Sequence, residues 1–188
     1  VGTKLDGLFM PIEEERRINS ILAQIGLITD ASRVILYAFH NGEVNNMGYH
    51  LTKISMVNRY IAPGNQSLVY PIRDLPVGRI MVELELLMRE EKWLTVEDGP
   101  HLEQACRDHL RKNGIHRKVS RMVRVGNLPI GILSLHFTGE TNRSPYDEPY
   151  FEILDELFDE LGAIMRHRVV KPSWIQRVLV KITHRNHH

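Results

Sequence analysis

Asn113-Gly-Ile-His-Arg-Lys-Val-Ser-Arg-Met-Val-Arg-Val-Gly-Asn-Leu-Pro-Ile-Gly-Ile-Leu-Ser-Leu-His-Phe137 is the stretch on which the reading of this chain turns. Asn113-Gly114 stops a preceding helix, because glycine tolerates the left-handed conformation that closes a helix C-terminus. Val119–Val125 and Ile130–Phe137 are apolar, β-branched runs, and Gly126-Asn127 between them is a hairpin signal. A helix end followed by a hairpin predicts a sheet that floors a ligand cavity. It does not by itself supply a reaction.

Upstream, Ile18, Ile21, Leu22, Ile25 and Ile28 recur at helical spacing. Pro11 suits a helix's first turn, and Glu13, Glu14 and Glu15 suit the positive end of its dipole. A helix is therefore expected over about 12–28, behind a lead-in of residues 1–11. Thr29 to Ser32 turns the chain into Val34–Phe39, a strand apolar enough to be buried on both faces. His40-Asn41-Gly42 is a turn, residues 43–50 form a polar loop, and Leu51–Val57 is a second strand. Pro63-Gly64-Asn65 breaks the structure, and Leu68–Ile72 is a short strand or an extended segment. Ile80, Met81, Leu84, Leu87 and Met88 predict a helix within Gly78–Glu91. Leu102, Cys106 and Leu110 line one face of another, ending at Gly114.

Downstream, Thr141–Pro145 is a loop and Tyr146–Arg168 the longest helix. Its first half is acidic and its last turn carries Arg166 and Arg168, which suits the helix dipole. Phe151, Leu154, Phe158, Leu161 and Met165 form its apolar stripe, widened by Ile153, Leu157 and Ile164 enough to face both a sheet and a partner. Lys171-Pro172 ends it. The expected architecture is α+β: a central, mostly antiparallel sheet flanked by N- and C-terminal helices, with a C-terminal amphipathic helix. One domain is expected over 12–170, followed by a basic amphipathic tail over 171–188.

The charge balance narrows the function classes. A formal net charge of +1 gives no global field toward nucleic acid or acidic substrates. Cys106 is the one cysteine, so no intrachain disulfide forms, and the expectation is a reducing, cytoplasmic setting. No apolar run approaches the roughly 20 residues that span a bilayer. The first residues also lack the basic-then-apolar order of a signal peptide. No histidine pair has metalloprotease spacing, and a terminal cluster of His184, His187 and His188 is a poor preorganised metal site. No nucleophile, base and orienter assemble from the sequence, so no enzyme is expected.

The helix-turn-strand Ile18–Phe39 and the block Gly114–Phe137, closing on Ile130-Gly131-Ile132-Leu133-Ser134, resemble a GAF domain over about Ile18 to Arg168. Phe39-His40-Asn41-Gly42 also resembles a short motif of GAF-like proteins encoded by tailed bacteriophages. The resemblance implies a non-enzymatic ligand-sensing or protein-interaction module, dimeric through its terminal helices. The alternative is a phage structural or interaction protein with no small-molecule ligand. Cyclic-nucleotide-binding members carry an Asn-Lys-Phe-Asp-Glu signature that this chain lacks. Methionine-sulfoxide-reducing members use several cysteines. In bilin-binding members a cysteine lies on a helix shortly before a glycine-led strand, as Cys106 precedes Gly114, but the histidine that follows it there is here Arg107. The favoured reading of Cys106 is a small apolar residue beside Leu102 and Leu110, with no cofactor.

Candidate ligand contacts are Phe39, His40, Asn41, Lys53, Ser55 and Tyr70. His40 donates and accepts at the end of a buried strand, while Asn41 has a full explanation as a turn residue. Lys53 and Ser55 alternate with Ile54 and Met56, so their face either lines a cavity or is solvated, the latter favoured. Arg117, Lys118, Arg121 and Arg124 either bind phosphate or mark the outer edge of the sheet, where charge discourages aggregation; the edge is favoured. In the tail, Trp174, Ile175, Arg177, Val178, Lys181 and Ile182 combine an apolar stripe with basic flanks. Such a segment docks on its own fold or dimer, on another protein or, least favoured, on an anionic membrane.

Overall fold

The computed structural model describes residues 6–40, 53–68, 70–90, 92–97, 99–126, 128–139 and 150–169. Asn41 and the stretch Trp174–Ile182 therefore lie outside the described residues. Helix α1 spans Asp6–Thr29, β1 Arg33–His40, β2 Lys53–Ile61 and β3 Leu75–Pro76. A 3-10 turn, Val77–Arg79, leads into α2, Met81–Arg89; β4 is Leu94–Val96 and α3 Gln104–Lys112. The hairpin is β5, Arg117–Val125, and β6, Leu128–Phe137, followed by α4, Tyr150–Val169.

The expected hairpin forms, and its two neighbours follow from local chemistry. Gly114 has φ +61° and Gly126 φ +57°, the left-handed region that glycine enters without steric cost. At the end of α3, the Gly114 N–H donates to the Arg111 carbonyl and the Ile115 N–H to the Leu110 carbonyl. That pairing is a Schellman cap, with Ile115 and Leu110 buried in the same cluster as its apolar contact. Helix α1 closes in a related way, with Asp30 at φ +57° and the Ala31 N–H on the Gly26 carbonyl.

The six strands run β3-β2-β1-β6-β5-β4, and every described pair is antiparallel. Gly131 lies against Tyr37 of the neighbouring β1: a Cβ there would overlap the Tyr37 carbonyl oxygen, which explains the glycine in an otherwise bulky strand. Strand alternation splits the core into two layers. Val34 and Leu36 of β1, Val119 and Val123 of β5, and Leu133, Leu135 and Phe137 of β6 meet α1 and α4 on one side. Ile35 and Tyr37, Met122, and Ile132 face α2 and α3 on the other.

Two expectations are corrected. The N-terminal helix begins at Asp6 rather than near residue 12, so Pro11 lies inside it. The proline removes one backbone hydrogen bond and does not mark the boundary. The basic run is not a sheet edge, because β5 is internal, between β6 and β4. Its cations anchor helices instead. Lys118 reaches Glu83 on α2, and Arg121 pairs with Asp155 on α4 while stacking on Phe158 at 4.1 Å. Arg124 donates to the Leu87 and Met88 carbonyls, the negative end of α2, at 3.1 and 2.8 Å.

Candidate functional site

The α2/α3 side of the sheet encloses a cavity of about 270 Å³. Tyr37 of β1, Ile54 of β2, and Ile132 and Ser134 of β6 form its floor, and Cys106 and His109 of α3 its roof. The segment 70–75 closes one side as a strap. The Tyr70 N–H donates to Asn113 Oδ1 (3.2 Å), the Met56 N–H to the Ile72 carbonyl (3.0 Å) and the Asp74 N–H to Ser55 Oγ (2.7 Å). Asn113 holds more than the strap. Its carbonyl accepts from Arg33 at 3.0 Å, and its amide donates to the His109 carbonyl at 2.9 Å.

Polar groups are buried against this face, all at one strand parity. Lys118 Nζ meets both oxygens of Glu83, at 2.6 and 2.7 Å, with both residues under 8% exposed. The Cys106 thiol donates to the same carboxylate at 3.6 Å. Ser120 and Ser134 share a hydrogen bond of 2.7 Å. His136 is fully buried and meets His109 edge-on, with ring centroids 5.8 Å apart. Besides the His136 nitrogens, Tyr37 Oη, His109 Nε2, Glu103 Oε2 and Arg107 Nε find no partner among the described residues on this side. A buried phenol normally has a partner, so the Tyr37 hydroxyl is an exception.

The protonation states follow from burial. Burial pushes the Tyr37 phenol well above its usual range, with the Glu83 charge adding to it. Burial and then the Glu83 charge push the Cys106 thiol up to about 12. Burial lowers His109 to about 3, helped by Lys118 and Arg33, and holds His136 well below the usual range. Both imidazoles are therefore neutral at pH 7, and Cys106 is a thiol rather than a nucleophilic thiolate.

Of the residues singled out in the sequence, the structure brings Tyr70 to the cavity wall, where its ring carries Lys112 at 5.4 Å. Phe39 packs half-buried against the same apolar layer. Lys53, also half-buried, pairs across to Pro76. His40 and Ser55 meet beside the strap: His40 Nε2 lies 2.9 Å from Ser55 Oγ and 3.5 Å from Asp74 Oδ1. These three residue types are those of a hydrolase triad, but both partners approach one nitrogen. No carboxylate orients Nδ1, so the arrangement is not a nucleophile-activating one. Sequence reasoning missed Tyr37, Glu83, Lys118, His109 and His136 as site residues. The available signal was parity: Lys118 and Ser120, and Ser134 and His136, are polar residues two apart in apolar strands.

No protein-family model matches the sequence, and no curated protein is similar to it in sequence. Solved structures do share its fold. The phycocyanobilin-bound GAF domain of a cyanobacterial phytochrome superposes with a TM-score of 0.62 at 15% identity, covering 90% of this chain and 93% of that one. The PixJ GAF domain of Thermosynechococcus elongatus, in its blue-light-absorbing form, gives 0.60 at 15% identity over 95% and 96%. A GAF domain/HD domain protein from Geobacter sulfurreducens gives 0.59 at 13% identity over 85% and 97%. The α+β sandwich built here is thus the GAF fold, as the hairpin and first helix led us to expect; at such identities the likeness is one of fold.

Covalent bilin does not fit this site. A cavity of about 270 Å³ lies below the roughly 300–1,000 Å³ of sites for drug-sized ligands, and a linear tetrapyrrole is larger still. Cys106 is buried, bonded to Glu83 and held protonated. Among the described residues, no group of His, Cys, Asp and Glu is placed to hold a metal ion. No described helix is long and apolar enough to cross a membrane.

Proposed function

We infer that this chain is a sensory or regulatory module that binds a small molecule in the α2/α3 cavity and relays its occupancy to α1 and α4. The cavity of about 270 Å³ between the sheet and α2/α3, with an apolar lining and a strap along one side, carries this reading. The relay is built into the strands. Tyr37 lies between Leu36 and Ala38, and Lys118 precedes Val119, so each strand touching the cavity also touches the terminal helices. For occupancy to regulate anything, the ligand must bind two helix arrangements with different affinity.

Filling the cavity tests the reading. A thermal-shift screen of soluble metabolites is expected to find a compound that stabilises the wild type and not Ala105→Phe, which places a ring in the cavity. A screen without a stabiliser, or stabilisation retained in the variant, counts against it.

The output surface in this reading is the α1/α4 pair, in a homodimer. Ile12 on α1 and Ile153 on α4 are 47% and 46% exposed, and Arg17 and Glu160 join the two helices by a bidentate ion pair. An isoleucine left in water on each of the two helices is what supports a second copy there. Light scattering should give a dimer mass for the wild type and a monomer for Ile12→Asp/Ile153→Asp; a monomeric wild type sinks this part of the reading. The stretch Trp174–Ile182 is a separate candidate for a protein partner, and removing 171–188 is expected to abolish such binding without loss of the fold.

A further inference from the structure

We propose that the second copy of this chain docks antiparallel on α1, with Ile12 of each copy on Leu27 of the other and Arg16 of each facing the acidic first turns of the other's α4. The proposal rests on the reading of the α1/α4 surface as a homodimer face and names how the two copies are oriented on it.

Helix α1 carries one continuous outward stripe. Ile12, Arg16, Ser20, Ala23 and Leu27 follow one another at helical spacing, on the side away from buried Ile18, Ile21, Leu22 and Ile25. Exposed aliphatic side chains stand at its two ends, Ile12 at 47% and Leu27 at 69%, with the short Ser20 and Ala23 between them. A two-fold dimer brings the same patch of each copy together. Copies running in the same direction would stack Arg16 on Arg16, a like-charge contact that disfavours the arrangement. Copies running in opposite directions, about an axis between Asn19 and Ser20, put Ile12 on Leu27 at both ends. Ser20 and Ala23 then let the two helices approach closely in the middle.

The complementary charge lies on α4. Asn58 of β2 donates to Asn19 Oδ1 at 3.2 Å and Tyr60 packs on Gly26, so α1 runs in the direction of β2. Arg121 of β5 pairs with Asp155, and the Arg124 carbonyl lies against Gly162, so α4 runs in the direction of β5. Antiparallel pairing from β2 through β1 and β6 to β5 makes those directions opposite, and α1 and α4 are antiparallel. The Arg17–Glu160 pair sets their level. Two turns away from it, Gln24 of α1 and Ile153 of α4 stand side by side. Arg16 of the second copy, opposite Ala23, then lays its methylenes toward Ile153 with its guanidinium in reach of Glu152 and Glu156. Arg16, Glu152 and Glu156 are exposed, and none of them forms an ion pair among the described residues. In such a dimer the two α4 helices leave at opposite ends, so the stretches after Val169 do not wind round one another and each meets its own partner singly.

The test is disulfide cross-linking of the full chain. Cys106 is buried, so the wild type serves as the control that does not cross-link. Ile12→Cys and Leu27→Cys, each oxidised alone, are expected to run as monomers on a denaturing gel, and a mixture of the two variants as a linked dimer. A linked dimer from either variant alone overturns the antiparallel arrangement and leaves the dimer reading standing. So does a mixture that fails to link while light scattering still gives its dimer mass. A monomeric wild type removes the dimer reading and the proposal together. Charge reversal is an independent readout. Arg16→Glu is expected to weaken dimerisation about tenfold, and adding Glu152→Arg/Glu156→Arg to recover most of the loss. A combined variant that recovers nothing overturns the proposal.

Discussion

The two faces of this sheet are made from the same strands and do different work. The face toward α1 and α4 is closed mainly with aliphatic and aromatic side chains, Ile18, Ile21, Leu22, Leu133, Leu135, Leu161 and their neighbours, with Asn58 the buried polar residue of its strands, held against Asn19 of α1. The face toward α2 and α3 mixes an equally buried apolar layer with Glu83, Lys118, Ser120, Ser134 and His136. Apolar burial is non-directional and needs only volume to be filled. Buried polar groups need specific partners, so they tolerate fewer alternatives and cost more when a partner is missing. The difference teaches that the first face rests on filled volume and the second on specific pairing.

The comparison breaks most visibly at Lys118. Lys118→Met leaves Glu83 buried without its cation and is expected to cost about 3–5 kcal/mol by chemical denaturation, whereas Lys118→Met with Glu83→Leu should recover most of it. On the other face, Leu161→Ala is expected to cost about 2–5 kcal/mol through the cavity it opens, with ligand binding per folded molecule unchanged. Gly131→Ala, which forces a methyl onto the β1 backbone beneath both faces, should cost about 1–3 kcal/mol.

Acid should also separate the faces. The folded state holds His109 at about 3, below its unfolded value, so the unfolded chain takes up the proton first. The stability is complete above about pH 6.5 and is lost as pH falls toward 3, about 2 kcal/mol of it by pH 5. The gap between denaturation midpoints at pH 7 and pH 5 should therefore narrow in His109→Phe without closing, because buried His136 contributes in the same direction; an unchanged gap refutes this. The smallest effect tests neither face. Asp30→Gly relieves a left-handed residue at the end of α1 and should stabilise by roughly 1 kcal/mol.

Much of the architecture was legible because it rests on local signals. The Asn113-Gly114 stop, the Gly126-Asn127 turn and the heptad-like stripe of α4 each declare themselves within a few residues. The start of α1 was not legible, since a proline in the chain marks a permitted first turn and not a required one. The site was mostly illegible. Lys118 reads as a surface cation until its strand is known to be internal, and Glu83 reads as the solvated side of a short helix until the two meet. Tyr37 looks like one more core aromatic; only its missing hydrogen-bond partner distinguishes it, and that is a property of three dimensions.

Asn113 began as half of a helix stop signal. With its side-chain oxygen on the strap, its side-chain nitrogen on α3 and its carbonyl on Arg33 at the root of β1, it works as a shared pivot. Any displacement of the strap would load that pivot. Because Arg33 follows directly on the turn out of α1, the tug arrives at the base of the terminal helix by a shorter road than through the sheet. The strap, α3 and the base of the terminal helix are in that sense tied to one residue.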